Sequence, residues 1–387
     1  MIATAKRLDS VQEYYFATKL REVRALMNEG KPIINAGIGS PDLLPPDHVI
    51  PALIEALQDD KAHGYQSYLG LPELRQSMAD FYQSYYHVQL NPETEIIPLM
   101  GSKEGILHIS LAFLNPGDQV LIPDPGYPTY ASATKLCEAQ AVTYNLTAAN
   151  HWMPDFEALE KLDLSRVKLM WTNYPNMPTG AAGNLDVFER LVAFARKHNI
   201  LLVNDNPYSC VGYEKKISIH QVEGSLDCAL ELNSISKTFN MAGWRVGMLT
   251  GNAEVLKEVL KVKTNMDSGM FYGVQKGAIA ALKTDAQWLA HQDEIYTQRR
   301  ELTLQVAHAL KLKPEPQTGG LFVWCKLPDG MHDDKEFVDD VLHNKHIFIT
   351  PGSIFGKNGA GYVRFSLCVK EEEIATMLER VSKKENA

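Results

Sequence analysis

Cysteine is scarce in this chain of 387 residues: Cys137, Cys210, Cys228, Cys325 and Cys368 are scattered, odd in number and never spaced as CxxC. A disulfide scaffold and a cysteine zinc site are therefore excluded, and scattered thiols suit a reducing compartment. No run approaches the roughly 18–20 apolar residues needed to cross a bilayer. The stretch from Met1 to Arg7 lacks the apolar core of a secretion signal. A cytoplasmic protein with no membrane partner is expected. Positive charge is not in excess either, since 38 basic and 47 acidic residues leave a formal charge of −9. That balance disfavours a general nucleic-acid-binding surface. Repeats, low-complexity tracts and long linkers are missing as well.

Several familiar motifs also fail. Gly37-Ile-Gly39 lacks the third glycine of a dinucleotide fingerprint. The segment Gly352-Ser-Ile-Phe-Gly356-Lys357-Asn358 is one residue short of a P-loop and ends in asparagine where Ser or Thr is needed. Neither HExxH nor GxSxG occurs. His343 and His346 have no carboxylate partner at motif spacing, so no metal site is expected.

What is present is an ordinary globular balance of 45% apolar and 22% charged residues. A helical pattern runs from Ser10 to Glu29, followed by an extended segment from Pro32. Short β-rich runs then alternate with helical stretches: 96–100, 119–123, 141–145, 167–174, 200–204, 229–234 and 246–250, with helices at 71–86, 106–114, 185–198 and 253–263. Such alternation predicts an α/β fold with a mostly parallel sheet covered by helices on both faces. Beyond about Gln275 the pattern changes to a long helical region reaching Leu312, strands near 321–327 and 363–367, and helices near 334–344 and 371–383. This predicts a smaller α+β domain.

Four segments carry chemistry. In Ser234-Ile-Ser236-Lys237, a lysine follows a short strand, and Arg245 lies eight residues further on. The pair can combine an imine-forming amine with an anion clamp, because a desolvated or cation-flanked lysine loses its proton more readily. A solvated surface pair has the same letters. Upstream, Ile200-Leu-Leu-Val-Asn-Asp205 puts an acid at the carboxyl end of a buried strand, the edge where open α/β sheets hold ligands. Asp205 there can face a protonated pyridine nitrogen, or it can be a turn aspartate before Pro207. Gly101-Ser102-Lys103 opens a helix and suits a phosphate monoester as well as it suits ordinary N-capping. Finally, Pro123-Asp-Pro-Gly-Tyr127-Pro-Thr-Tyr130 either lays an aromatic face over a planar cofactor or is a proline-rich turn.

Taken in order, these segments resemble the fold-type I pyridoxal-phosphate aminotransferases of the class I/II group. The likeness runs from Asn35-Ala-Gly-Ile-Gly39-Ser-Pro-Asp42 through Tyr65-Gln-Ser-Tyr-Leu-Gly70 and Asn173-Tyr-Pro-Asn-Met-Pro-Thr-Gly180 to Tyr362-Val-Arg364-Phe-Ser-Leu367. The resemblance implies a large pyridoxal-phosphate domain over 45–280 and a small domain from 1–44 plus 281–387. It implies that Lys237 forms the Schiff base with pyridoxal 5′-phosphate and moves the substrate proton, and that Asp205 keeps the pyridine nitrogen protonated. Tyr208 would donate to the phenolic oxygen, aided by Asn173 or Asn176, and Tyr127 would stack on the ring. Ser102, Lys103, Ser234, Ser236 and Arg245 would hold the phosphate. Tyr65 would reach the phosphate of a neighbouring subunit, which implies a homodimer with shared sites. Arg364, supported by Gly39, would grip the α-carboxylate of the substrate.

One departure is Met177, where the family usually has an asparagine touching the phenolic oxygen; losing that donor should raise the pKa of the Schiff base. Gly-Ser-Lys-Glu-Gly at 101–105, Ser268-Gly269-Met270-Phe271 and Tyr14-Tyr15-Phe16 are similar to the branch containing LL-diaminopimelate aminotransferases, which makes Tyr14 and Lys103 candidate substrate contacts. Tyr14 is equally readable as a core residue of the first helix. The implied reaction is amino transfer from an L-amino acid to a 2-oxo acid. A C–S β-lyase on the same fold is the alternative, and a cofactor-binding regulator without turnover is a third reading for which the N-terminal stretch leaves no DNA-binding module.

Overall fold

The computed structural model describes residues 2–9, 15–316 and 319–383. Seven strands make the main sheet: β1 Ile96–Leu99, β2 Gln119–Asp124, β3 Gln140–Asn145, β4 Val167–Thr172, β5 Leu201–Asp205, β6 Ala229–Ser234 and β7 Gly247–Gly251. Their spatial order is β1-β7-β6-β5-β4-β2-β3. All run parallel except β7, which is antiparallel to both of its neighbours. The central strands are almost wholly buried, as near-continuous apolar runs such as Leu201-Leu-Val and Ala229-Leu require when helices cover both faces.

The reversed strand decides where the site lies. Because β7 runs backwards, the residues just before it meet the sheet edge that β1, β5 and β6 reach at their ends. Pairing sets Asp205 opposite Leu232, Ser234 opposite Gly247 and Leu99 opposite Gly247. Chain segments distant in sequence therefore converge on one edge, where α/β sheets hold ligands.

A second, antiparallel sheet has the order Thr350–Pro351, Tyr362–Ser366, Phe322–Lys326, Lys313–Pro314. Beside it Ile34–Asn35 pairs in parallel with Ile347–Phe348, and the Ser366 N–H donates to the Ala36 carbonyl at 2.7 Å. These bonds thread the early segment between the two sheets. One apolar cluster bridges the units, joining Met170 and Leu202 of the main sheet to Trp324 and Phe365 of the smaller one. The opposite face of the main sheet packs Ile106, Trp171 and Leu230 together.

Three expected elements differ in extent. The helix expected from Ile106 spans Ser102–Phe113, because its first turn is polar and carries no apolar period; Gly101, at φ 89°, makes the turn into it. The long region after Gln275 is two helices, Tyr272–Leu282 and Ala286–Ala309, divided where the Asp285 side chain caps the Trp288 N–H at 2.9 Å. The first helix is described over Tyr15–Asn28, and its expected start at Ser10 lies outside the described residues. Among the described residues no helix is long and apolar enough to cross a membrane.

Candidate active site

At the convergent edge lies a cavity of about 400 Å³. Its wall brings together Gly39, Ser102, Lys103, Tyr127, Asn173, Asp205, Tyr208, Ser234, Ser236, Lys237, Arg245 and Arg364. Tyr65 lies away from the cavity with 94% of its surface exposed. Tyr14 falls outside the described residues.

Lys237 sits in the single helical turn Ile235–Thr238 that follows β6. Its Nζ donates to the Gly39 carbonyl at 2.5 Å. Burial lowers its pKa, and the guanidinium groups of Arg364 and Arg245 push the same way against an opposing pull from Cys368. Asp205 ends β5 and is buried. Its Oδ2 accepts from the Tyr130 hydroxyl at 2.8 Å, while Oδ1 has no hydrogen-bond partner. Burial pushes its carboxyl up to about 7; the Tyr130 hydrogen bond opposes this and the charge of Glu231 adds to it. Tyr130 is itself fixed by stacking on Trp171, with ring centroids 5.0 Å apart and planes 5° from parallel.

At one end of the cavity, Gly101 allows the Arg245 side chain to cross: a Cβ there would lie 2.1 Å from Arg245 Nη2. Arg245 adopts the left-handed conformation at φ 56°, and its Nη1 donates to the Ala242 carbonyl at 2.9 Å. The hydroxyls of Ser234 and Ser236 lie 2.8 Å apart beside it. At the other end Arg364 is buried, its Nη2 donating to the Gly37 carbonyl at 2.9 Å and its Nη1 lying 3.1 Å from Met177 Sδ. Its Cζ stands 4.0 Å from the ring centroid of Phe322, 4.8 Å from that of Phe355 and 5.9 Å from that of Phe16. Tyr208 meets Phe322 edge-on at 5.8 Å, and burial raises its phenol pKa well above the usual value.

The family model described as aminotransferase class I and II matches residues 31–381. The chain belongs to this family. The aminotransferase is 36% identical over 372 residues to LL-diaminopimelate aminotransferase of Dehalococcoides mccartyi, covering 96% of each chain. It is 39% identical over 380 residues to LL-diaminopimelate aminotransferase 2 of Trichormus variabilis, covering 97% of each. Among solved structures, it is similar to substrate-bound BacF of the Bacillus species, with a TM-score of 0.94, 36% identity, and coverage of 99% of this chain and 98% of that one. It is also similar to a probable N-succinyldiaminopimelate aminotransferase from Thermus thermophilus, with a TM-score of 0.88, 33% identity, and coverage of 95% and 99%.

Aminotransferases of this family depend on pyridoxal phosphate, and the cavity has the donors and acceptors that group requires. The orphaned, buried Oδ1 of Asp205 calls for a cationic or N–H partner. Ser102 at the start of a twelve-residue helix, the serine hydroxyls and the Arg245 guanidinium make an anion cradle in which glycine is obligatory at 101. Gly39 is equally constrained, since a Cβ would lie 2.4 Å from the Phe322 ring.

Several contacts escape sequence reasoning. The aromatic cage of Phe16, Phe322 and Phe355 assembles from three distant segments, and no local pattern signals it. Pairing of Trp324 with Arg364 places Phe322 on the same face two residues away, a relation visible only once the register is known. Tyr130 belongs to a motif that drew attention only to Tyr127. Asn173 is committed to the backbone, donating to the Asp205 carbonyl at 2.6 Å and accepting from the Met177 N–H at 2.8 Å. Asn176 does not line the cavity; its Oδ1 accepts from the Thr179 hydroxyl at 2.6 Å. Elsewhere Glu104, His108 and Asp267 bring ligand atoms within 4.8 Å of one another, yet the Lys263 ammonium already lies 2.8 Å from Asp267.

Proposed function

We propose that the cavity transfers the amino group of an L-amino acid to a 2-oxo acid in two half-reactions that share Lys237 as base. Bound pyridoxal phosphate supplies an electron sink conjugated to the α-carbon of the substrate. Lys237 Nζ would hold the cofactor aldehyde and would take the α-proton of the donor, a task its lowered pKa favours. The donor would leave as its 2-oxo acid, its carbonyl oxygen coming from water, while the amino group stays with the enzyme. A second 2-oxo acid then collects that group as Lys237 returns a proton to its α-carbon.

With the cofactor bound, Asp205 would keep its ring nitrogen protonated, Tyr208 would donate to its phenolic oxygen, and Tyr127 would stack on its ring. Asn173 ties the backbone of Asp205 to the segment carrying Met177. Ser102, Lys103, Ser234, Ser236 and Arg245 would bind the phosphate. Arg364 presents its planar fork to the α-carboxylate, with Gly39 at its side. The observation that carries this reading is the presence of Lys237, the orphaned Asp205 oxygen and the caged Arg364 in one cavity. The same proposal keeps a 45–280 domain and a domain from 1–44 plus 281–387; it is supported by the main sheet falling within 96–251 and the second sheet within 313–366.

A homodimer with shared sites completes the proposal. Tyr65, Met266 and Phe271 are exposed by 94%, 58% and 45%, and close approaches of Gly269 to Gln66 and of Gly273 to Leu57 join their segments into one face. An apolar face of that kind suits a second copy, to whose site Tyr65 would reach. A cytoplasmic location accords with five free cysteines.

A panel of amino donors, LL-diaminopimelate among them, tested against 2-oxoglutarate and pyruvate with the visible spectrum of the holoenzyme as readout, checks the reaction. Cycling of the spectrum by donor and then acceptor is expected. Pyruvate released from cystathionine without an acceptor, and no cycling, would replace amino transfer by β-elimination.

A further inference from the structure

Glu231 is an acid that no step of the proposed reaction uses. It lies within β6 and is wholly buried. Register sets it opposite Asn204, one residue before the pair of Leu232 and Asp205. Because side chains alternate along a strand, it occupies the sheet face opposite the one on which Asp205 meets Tyr130. Four donors surround its carboxylate. The Tyr82 hydroxyl at 3.0 Å and the Ser218 hydroxyl at 2.8 Å meet Oε1, while the Ile219 N–H at 3.0 Å and the Asn204 amide at 3.1 Å meet Oε2. All four are neutral groups, so they hold the acid in place without cancelling its charge. The titratable groups around it stay uncharged near neutral pH: burial raises the phenol pKa of Tyr82 and Tyr86 and lowers that of His220, which meets the Thr250 hydroxyl at 3.1 Å. On the other face, burial likewise keeps the phenols of Tyr127, Tyr130 and Tyr208 protonated, and the charged groups of the cavity there are the cations Lys103, Lys237, Arg245 and Arg364. An anion fixed in a low-dielectric interior raises the proton affinity of every site near it. The Asp205 carboxyl is such a site, and the charge of Glu231 adds to its upward shift.

We propose that Glu231 is a positioning residue for a proton: from behind Asp205, on the neighbouring strand, its uncompensated charge tightens the hold on the proton between Asp205 and the ring nitrogen of bound pyridoxal phosphate. The inference rests on Asp205 as the partner of that nitrogen.

Glu231→Gln tests this, because it removes the charge and can keep all four contacts: its oxygen can accept from Ile219 and Asn204 while its amide donates to the two hydroxyls. In the full-length, cofactor-free protein, the Asp205 carboxyl titration, followed by NMR and assigned with Asp205→Asn, should fall by about one unit in this variant. It should stay near the wild-type midpoint in Glu231→Asp, which keeps the charge and loses packing. In binding assays, Glu231→Gln should weaken pyridoxal 5′-phosphate about tenfold more than it weakens the deaza analogue, which has carbon in place of the ring nitrogen. An unmoved Asp205 midpoint, or equal weakening of the two ligands, would reduce Glu231 to a structural role and overturn the proposal. A protonated Glu231 carboxyl in the wild type at neutral pH would overturn it without any variant. A wild type that binds the two ligands equally would instead remove Asp205 as the partner of the ring nitrogen, the reading on which the inference depends.

Discussion

The two arginines of the cavity occupy opposite kinds of environment. Arg245 is exposed, turns on a local left-handed residue, and bonds to a carbonyl three positions back. Arg364 is 4% exposed, walled by three aromatic rings and tied to the carbonyl of Gly37 from the other end of the chain. The Arg245 end of the cavity is thus assembled from strand ends of one sheet and its guanidinium is open to water, whereas the Arg364 end is a desolvated cage built between two sheets. Hydrogen bonds and charge pairs gain strength as water is removed, so the two ends should respond very differently to the same substitution.

The largest expected effect comes from removing the residue that serves both ends. Lys237→Ala should cut amino transfer by about 10⁴-fold, the upper range for a positioned acid–base group, and should abolish borohydride trapping of the cofactor at this side chain. Retained turnover would break the comparison at its centre.

A second test addresses Asp205, between the two ends. Its carboxyl is pushed up to about 7 in the fold, so its contribution to stability is full below the ordinary carboxylate range and is lost as pH rises toward neutrality. The cofactor-free protein should therefore lose up to about 4 kcal/mol of stability between about pH 4 and pH 7 from this group alone. Chemical denaturation at several pH values should show that slope, and Asp205→Asn should flatten it.

The arginines themselves sharpen the contrast. Arg364→Lys should lower kcat/KM by about 10²-fold, as expected for losing a charge-assisted hydrogen bond in a dry site, without altering cofactor affinity. Arg245→Lys should raise the cofactor dissociation constant by less than about tenfold, because an exposed pair competes with water. Equal losses in the two variants would show that exposure is a poor guide here.

The smallest effect is expected at Met177, beside Arg364. Met177→Asn adds a donor near the phenolic oxygen and should lower the pKa seen in the visible titration by about one unit. An unchanged or rising pKa would count against the missing asparagine as a cause of a raised Schiff-base pKa.

Much of the main sheet was legible because its strands are short apolar runs between helices of clear period: 229–234 and the helices 185–198 and 253–263 coincide with the expected spans. Helix starts were less legible. The polar first turn of Ser102–Phe113 faces the cavity, so it carries no apolar repeat from which to read it. Most of the residues that line the cavity are legible in the sequence because each sits in a short motif at a strand end. The cage of Phe16, Phe322 and Phe355 was not, since three isolated phenylalanines in separate segments look like any core aromatics.

The order of residues alone determined the alternation of strand and helix, the lysine after β6 and the acid at the end of β5, because these depend on local period and on which side chain follows which strand. Tertiary structure decided that β7 runs backwards, that Gly39 reaches Lys237, and that Arg364 is enclosed while Arg245 is open. Those outcomes depend on strand pairing and on burial between two sheets, which bring together residues up to 327 positions apart, and no short-range pattern encodes such distances.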